Sequence, residues 1–184
     1  SGGLPVKVAG RESMWIPSLA MNPTVTNGCA SHATVETTSG RPDMIVLDFD
    51  KDADEFAQFQ IAFPKSWDEG TITYQVYWSG ISATTNVSWT LQGVAISSGG
   101  SIDVAYGAAI AVVDATTAAV EIAHVTAESS AVTIAGTPAE GDICYFRIGR
   151  DIDGGGTAGN DNMAGDARLH GIKLFFNTNA KNDS

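Results

Sequence analysis

Short runs in which apolar and polar side chains alternate recur along most of this chain. Neighbouring side chains of a strand point to opposite sides of a sheet, so each run predicts a strand with one apolar face. The alternation is clear in residues 44–50, 55–63, 71–78 and 144–148. Polar turns and Pro64 separate the early runs, and proline cannot donate to a strand ladder. The pattern predicts an all-β domain.

The last two predicted strands are separated by a long loop rich in Gly, Asp and Asn. The first strand places Cys144, Phe146 and Ile148 on one face, and the second ends in the alternating run 172–176. The triplet Gly154-Gly155-Gly156 supports neither a helix nor a paired strand. We therefore expect late strands joined across a solvent-facing surface loop.

The spacing of the runs indicates one particular β architecture. Roughly eight to ten predicted strands at intervals near 8–12 residues are typical of a sandwich or barrel. We predict an antiparallel two-sheet sandwich of jelly-roll type over residues 41–184. Residues 1–40 are less regular, and we expect an irregular N-terminal arm that anchors the chain or contacts a neighbouring subunit. A chain of 184 residues is long enough for one substantial core.

Two segments depart from simple alternation. In 87–96 the apolar positions change face near Gly93, where a β-bulge would cost little. Residues 115–128 are rich in Ala, which favours helices, so a short helix there is an alternative to strands.

The charge balance excludes several classes of partner. The chain has 10 Lys and Arg against 21 Asp and Glu, which gives a net charge of −11. Such a chain has no basic surface for a phosphate backbone, so we expect no direct nucleic-acid partner. No apolar run is long enough to cross a bilayer and no secretory signal pattern opens the sequence, so we expect no membrane insertion.

Cys29 and Cys144 are the two cysteines of the chain, and they lie far apart in sequence. Their spacing matches neither a zinc site nor a disulfide-rich secreted scaffold. We expect two small buried thiols, with a disulfide between them as the alternative.

Acidic and amide side chains cluster in the late loop. Carboxylates occur at Asp151, Asp153, Asp161 and Asp166, accompanied by asparagines, and oxygen-rich loops of this kind bind Ca²⁺. The spacing does not follow an EF-hand. We favour a solvated turn built from residues that tolerate positive φ, and a Ca²⁺ site at these four residues is the alternative.

Three tryptophans recur every eleven residues, at Trp67, Trp78 and Trp89. Trp78 and Trp89 fall on apolar strand faces and are predicted to be neighbours in the core. Trp67 lies between polar segments, so we expect it near the surface. Exposed aromatic rings stack on the apolar C–H faces of sugars, which makes Trp67 the candidate ligand contact.

Catalytic patterns are weak. The histidines are scattered and no Ser or Cys occupies a nucleophile elbow, so the sequence predicts no enzyme and no cofactor. The dense carboxylates between Asp48 and Glu55 leave an enzyme that acts on polysaccharide as an alternative.

An ordered set of segments resembles a family. The segments FQIAFPKSWDEGTITYQVYW, WTLQGVAIS, AGTPAEGDICYFRIGRD and DARLHGIKLFF are similar to a domain of uncharacterised structural proteins of tailed bacteriophages and gene-transfer particles. The resemblance covers about residues 14–176 and depends on ordered pattern, without a diagnostic motif. It implies a non-enzymatic jelly-roll-like domain, a homotrimer, and other virion proteins as partners.

These observations lead to one expected function and one alternative. We expect a virion structural protein on the particle exterior, a head-decoration, head-fibre or tail-fibre component that aids host attachment, with a host surface glycan as a partner. The alternative is a carbohydrate-binding module or lectin, which Trp67 and the acidic loop favour.

Overall fold

The structure is a computed structural model that describes residues 9–81, 85–117, 120–154 and 161–179. Within these residues the chain forms twelve strands and a 3₁₀ turn at Ser18–Ala20, and it forms no α-helix. No helix in this part of the chain is long and apolar enough to cross a membrane. In chain order the strands are β1 (Gly10–Pro17), β2 (Asn22–Pro23), β3 (Ala33–Val35), β4 (Met44–Phe49), β5 (Glu55–Ala62), β6 (Thr73–Gly80), β7 (Asn86–Ile96), β8 (Ile110–Ala115), β9 (His124–Val125), β10 (Ile134–Ala135), β11 (Ile143–Arg150) and β12 (Ala167–Thr178).

The strands form two sheets that pack face to face. Sheet 1 has the order β3-β4-β12-β6-β9, and β1 also pairs with β12. Sheet 2 has the order β10-β7-β11-β5-β2, and β8 also pairs with β7. All ladders are antiparallel except the two-residue β7–β10 pairing. From β4 to β7 the chain alternates between the sheets, so the predicted antiparallel sandwich of jelly-roll type is confirmed.

The core lies between the inner faces of the two sheets. Trp78 on sheet 1 and Trp89 on sheet 2 are both fully buried, with ring centroids 6.2 Å apart. Phe49 packs its ring against Trp89 at 5.2 Å. The prediction that these two tryptophans are core neighbours is confirmed, because both lie on the inward rows of alternating strands.

The N-terminal segment differs from the expected irregular arm. Strand β1 pairs with β12 over its whole length, from Gly10 opposite Thr178 to Pro17 opposite Gly171. Ile16 is 7% exposed and Met21 is fully buried, so both contribute to the sandwich core. The boundary expected near residue 40 therefore does not separate the described part of the arm from the sandwich. A role for this segment in anchoring or subunit contact stays a prediction.

The bulge predicted at Gly93 is wrong. The β7–β11 register continues unbroken through Gly93, which lies opposite Phe146. A Cβ at residue 93 would lie 2.7 Å from Phe146 Cε1, so the glycine makes room for that ring. The change of apolar face has another cause: Val94 and Ile96 are buried although they lie on the outer face. The alternative helix is not formed in the described part of 115–128.

Candidate functional site

The loop that follows β11 is tied to the sandwich by a buried ion pair. Arg150 is 0% exposed, and its Nε and Nη2 donate to Asp161 Oδ2 and Oδ1, each at 2.8 Å. The guanidinium also donates to the carbonyl oxygens of Phe49, Met163 and Gly165. Five hydrogen bonds from one side chain thus connect β11 to β4 and to the loop before β12.

Asp161 connects the loop to β7 and β11. Its carboxylate accepts hydrogen bonds from the backbone N–H of Ser88 as well as from Arg150. Met163 in the same segment is 2% exposed. The expected solvent-facing loop is therefore partly buried where it returns to β12. Gly155, Gly156 and Asn160 lie outside the described residues.

The four carboxylates predicted as a metal set are divided between separate places. Asp151 and Asp153 lie beside Asp54, and one carboxylate oxygen from each lies within 4.8 Å of the other two. Among the described residues, this is the group of His, Cys, Asp and Glu side chains that could share a cation. Asp54 accepts a hydrogen bond from Ile152 N at 2.8 Å, and Asp151 accepts one from Gly154 N at 3.0 Å.

Asp161 and Asp166 are separate from that group. Asp161 is held by Arg150, and Asp166 lies near Asp48. Burial raises the pKa of the Asp48 carboxyl, Arg168 opposes the rise, and the charge of Asp166 adds to it. The sequence cluster therefore separates in three dimensions, because Asp161 pairs with Arg150 whereas Asp151 and Asp153 lie beside Asp54. Metal binding at Asp151 and Asp153 stays a prediction.

Trp67, the predicted surface contact, is buried. Its side chain is 5% exposed and stacks on Phe63 with ring centroids 4.0 Å apart. Its backbone forms an isolated bridge with Thr178, which draws the segment against the end of β12. The polar neighbours in sequence suggested exposure, whereas the indole covers the end of the core. Trp67 therefore offers little surface for stacking on a sugar ring.

The dense carboxylates that suggested a glycosidase lie in and beside the turn between β4 and β5. Glu55 accepts a hydrogen bond from Asp50 N at 2.8 Å, and Lys51 pairs with Asp52. Burial raises the pKa of the Glu55 carboxyl, and the hydrogen bond that the carboxylate accepts from the Asp50 N–H opposes the rise. Asp48 pairs with Arg168 at 3.6 Å. These contacts organise the turn.

Both cysteines are free and buried, so the expectation of two small core thiols is confirmed. Burial raises the pKa of Cys29 and of Cys144 to about 12. At pH 8 a thiol with that pKa is ionised in roughly one molecule in ten thousand, and the thiolate is the reactive form. We predict negligible reaction of the folded protein with a disulfide-exchange reagent at pH 8, and two thiols per chain in denaturant. Rapid labelling of one thiol in the folded protein would contradict this.

A row of polar and aromatic side chains covers the outer face of sheet 2. Tyr145 and Arg147 point outward from β11, the third strand in the sheet order, between β7 and β5. Their register partners place Gln60 and Gln58 beside them on β5, and Gln92 beside Arg147 on β7. We call these five side chains, together with Phe56 and Tyr106, the β11 face.

Arg147 is held in place at the centre of the β11 face. Its Nε and Nη2 donate to Gln92 Oε1, with the Nε bond at 2.9 Å. Gln92 in turn donates from Nε2 to the carbonyl of Gly107 at 3.2 Å. The guanidinium lies 4.2 Å from the ring centroid of Phe56 and 5.3 Å from that of Tyr106. Hydrogen bonds and stacking thus orient the group before any ligand arrives.

Phe56 lies flat on the sheet because residue 149 is glycine. A Cβ at Gly149 would lie 2.6 Å from Phe56 Cδ1 and 2.7 Å from Cε1. The absent side chain leaves room for the ring beside the backbone of β11, and the Arg147 guanidinium lies over that ring. Burial raises the pKa of the Tyr106 hydroxyl, and the charge of Arg147 opposes that rise.

Clefts lie on both sides of this row. One of 270 Å³ is bounded by Ala20 and Asn22 together with Gln58, Gln60 and Tyr145. The other, of 150 Å³, is lined by the following residues: Asp54, Phe56, Thr90, Gln92, Ala109, Arg147 and Asp151. The two clefts thus flank the row of β11, one on the side of Asn22 and the other on the side of Ala109. Amide, guanidinium and aromatic groups line this part of the surface.

In the sequence, Tyr145 and Arg147 alternate with the apolar row of 144–148, and Gln58 and Gln60 alternate with that of 55–63. The pattern assigns them no function. Their alternation in the sequence shows only that they point away from the core. Strands β5, β7 and β11 are neighbours because of the jelly-roll connections, and a local sequence pattern does not predict which strands pair. The signal available in the sequence was the pair Gln58 and Gln60 at alternate positions of one run.

Comparisons with known proteins identify the fold and no family. No family model and no curated protein matches the chain. Isomalto-dextranase of Arthrobacter globiformis T6, solved in complex with panose, matches with a TM-score of 0.50 and 15% identity. The match covers 88% of this chain and 23% of the isomalto-dextranase chain, so the chain spans about a quarter of that protein. This likeness shows the fold alone.

Two further solved structures are similar at a lower score. A family 11 carbohydrate-binding module from Clostridium thermocellum, in complex with a β-1,3-1,4-mixed-linked tetrasaccharide, has a TM-score of 0.44 and 11% identity, over 88% of this chain and 94% of the module. The CBM36-1 domain of a multidomain xylanase from the hindgut metagenome of Trinervitermes trinervoides has a TM-score of 0.44 and 7% identity, over 89% and 96%.

Proposed function

We propose that this chain is a non-catalytic carbohydrate-binding module whose β11 face holds a segment of a neutral polysaccharide. The observation that carries the proposal is the preorganised Arg147, which Gln92 and Phe56 hold beside a cleft in the β11 face. This was the alternative interpretation of the sequence. The virion role that the sequence resemblance implies stays a prediction, and no observation on the described residues favours it.

The chemistry of the β11 face suits a sugar chain. Sugars present hydroxyl groups that both donate and accept, together with apolar C–H faces. Glutamine supplies a donor and an acceptor in one amide, and the arginine fork supplies several parallel donors. Gln58 and Gln60 are exposed on β5, and Tyr145 lies beside them with a partly exposed ring. Such a mixture of polar and aromatic groups is typical of ligand grooves.

Charge favours a neutral glycan at this face. The chain has a net charge of −11, and Asp54 and Asp151 border the cleft beside Arg147. An anionic polymer would be repelled by this field, whereas a neutral chain of hydroxyls would not. The same field makes a phosphate backbone a poor ligand.

The test is a binding titration with the Arg147→Ala variant. Dextran, mixed-linkage β-glucan and xylan are run as soluble ligands in affinity electrophoresis, and the strongest is then titrated by calorimetry. We expect the wild-type chain to bind at least one of them and Arg147→Ala to bind it about tenfold more weakly or worse. The variant loses the central donors and leaves Gln92 without its guanidinium partner.

The matched control is Arg41→Ala, which removes an exposed arginine from the turn before β4. It carries the same change of charge and is expected to bind like the wild type. Thermal melting checks that both variants fold. Equal affinity of Arg147→Ala and wild type, or no binding of wild type to any of the three polymers, would refute the β11 face as the site. Release of reducing sugar by the wild-type chain would contradict a purely binding role.

A further inference from the structure

The opposite face of the sandwich carries an exposed indole. Strand β1 pairs with β12 so that Trp15 lies opposite Lys173 and Ile16 lies opposite Ile172. Because side chains alternate, Ile16 enters the core while Trp15 points outward from sheet 1. Trp15 is 48% exposed, whereas the inward-facing side chains of the same two strands, such as Ile16 and Ile172, are buried. A half-exposed tryptophan on a regular strand is a specific feature of this surface.

The indole of Trp15 packs against the outer face of sheet 1 above Gly171. A Cβ at Gly171 would lie 2.6 Å from Trp15 Cη2 and 2.7 Å from Cζ2, so the glycine opens the space that the ring occupies. A register irregularity in β12 between Leu169 and Gly171 brings Gly171 opposite Tyr77. The Tyr77 ring meets the indole edge-on, with centroids 4.9 Å apart and an interplanar angle of 83°. One side of the indole is supported by protein, while much of its remaining surface stays accessible.

Polar groups surround the indole. Lys173 is its direct cross-strand neighbour, and Gln75 lies opposite Lys173 on β6. Gln75 donates from Nε2 to the carbonyl of Thr126 at 2.9 Å, which orients its amide. Farther along the same face, Arg11 pairs with Glu128. Phe175 lies on the same face in contact with Arg11 and Lys173, and Val125, which is 45% exposed, lies opposite Tyr77 on β9. The surface therefore combines the indole and a few apolar neighbours with hydrogen-bonding and charged groups.

We infer that Trp15 is a stacking platform for one sugar ring, a second glycan contact on the face opposite the β11 face. The apolar C–H face of a sugar covers the indole, and its hydroxyls reach Lys173 and Gln75. The choice of a sugar as the ligand rests on the proposed function, whereas the residues of this second site are different from those of the β11 face. A stable protein interface buries about 800 Å² on each partner, which is more apolar area than Trp15, Tyr77 and Val125 offer among the charged groups of this face.

Two contacts on opposite faces change what one chain does. A single polysaccharide strand cannot lie on both sheets of the sandwich at once, so the two sites engage different strands or distant segments. Each chain then bridges two polymer segments, and retention in a polysaccharide gel gains from avidity. Loss of the platform should weaken retention in a gel more than it weakens the binding of a short oligosaccharide to the β11 face.

The experiment follows indole N–H resonances by NMR during titration with isomaltohexaose, cellohexaose and xylohexaose. The chain has four tryptophans, and the resonance missing from Trp15→Ala identifies Trp15. We expect one hexaose to shift this resonance in the wild type and equally in Arg147→Ala. Trp15→Ala should also lose about threefold or more of its retention in a polysaccharide gel. Leu19→Ala, which removes another exposed apolar side chain, is the control and should match the wild type.

The outcomes separate the two sites. A Trp15 resonance that no hexaose shifts, while Arg147→Ala still abolishes binding, overturns the platform and leaves the β11 face standing. A Trp15 resonance that shifts with sugar, while Arg147→Ala binds normally, supports the platform and refutes the β11 face. A resonance that shifts with protein concentration alone shows that a second copy of the chain covers the indole, which overturns the platform.

Discussion

Replacing Arg150 with methionine is expected to lower the free energy of unfolding by about 3–5 kcal/mol, because it leaves the Asp161 carboxylate buried without its charge partner. The side chains of Arg150 and Asp161 are 0% and 2% exposed, so water cannot replace the lost donors. Three backbone carbonyls that Arg150 contacts also lose a donor. Urea denaturation followed by tryptophan fluorescence measures the loss.

Two further variants make this prediction specific. Asp161→Asn leaves the buried Arg150 charge without its partner and turns an amide NH₂ toward the guanidinium donors, so we expect a comparable cost of about 3–5 kcal/mol. Arg11→Met is the control, since it breaks the exposed pair with Glu128 and should cost less than about 1 kcal/mol. If Arg150→Met costs no more than Arg11→Met, the buried pair does not hold the loop as described.

Replacing Trp78 with alanine is the second large effect, with an expected loss of about 3–5 kcal/mol from a cavity in the core. The Trp78 side chain is fully buried and contacts the rings of Trp89 and His124. Its Nε1 donates to Asp114 Oδ2 at 2.9 Å, and alanine leaves that carboxylate without the donor. The cost therefore combines lost packing with a lost hydrogen bond, and urea denaturation measures the sum.

Trp15→Ala is the matched control for Trp78→Ala, since it removes the same side chain from the surface of the same sheet. Trp15 is 48% exposed, so its removal opens no enclosed cavity, and we expect a loss near 1 kcal/mol. Trp78→Phe then separates the two causes, because phenylalanine fills much of the space and cannot donate to Asp114. A similar cost for Trp15→Ala and Trp78→Ala would contradict the burial described.

Alternation in the sequence predicted strands more reliably than it predicted which residues meet. The run 44–50 became β4 (Met44–Phe49), and Phe146 and Ile148 entered the core as their spacing indicated. The periodic pattern is local, since each side chain points to the side opposite its neighbour whatever the rest of the chain does.

The acidic loop shows why proximity in sequence is a weak guide to a site. Asp151, Asp153 and Asp161 lie within eleven residues, yet Asp161 pairs with Arg150 while the other two join Asp54 from the turn after β4. Trp67 shows the same limit, because its polar sequence neighbours suggested exposure and its ring is buried against Phe63. The burial of a side chain depends on which residues of other strands pack against it, and a short stretch of sequence does not contain that information.

Alternation and composition in the sequence were enough to predict an all-β chain, the core positions of Trp78 and Trp89, and a net negative charge. Which outward rows are neighbours depends on the connections between strands. Arg147 meets Gln92, and Trp15 lies beside Tyr77, only because jelly-roll connections pair strands far apart in the chain. Side-chain alternation is set by the backbone of one strand, whereas a binding surface is set by the register between strands.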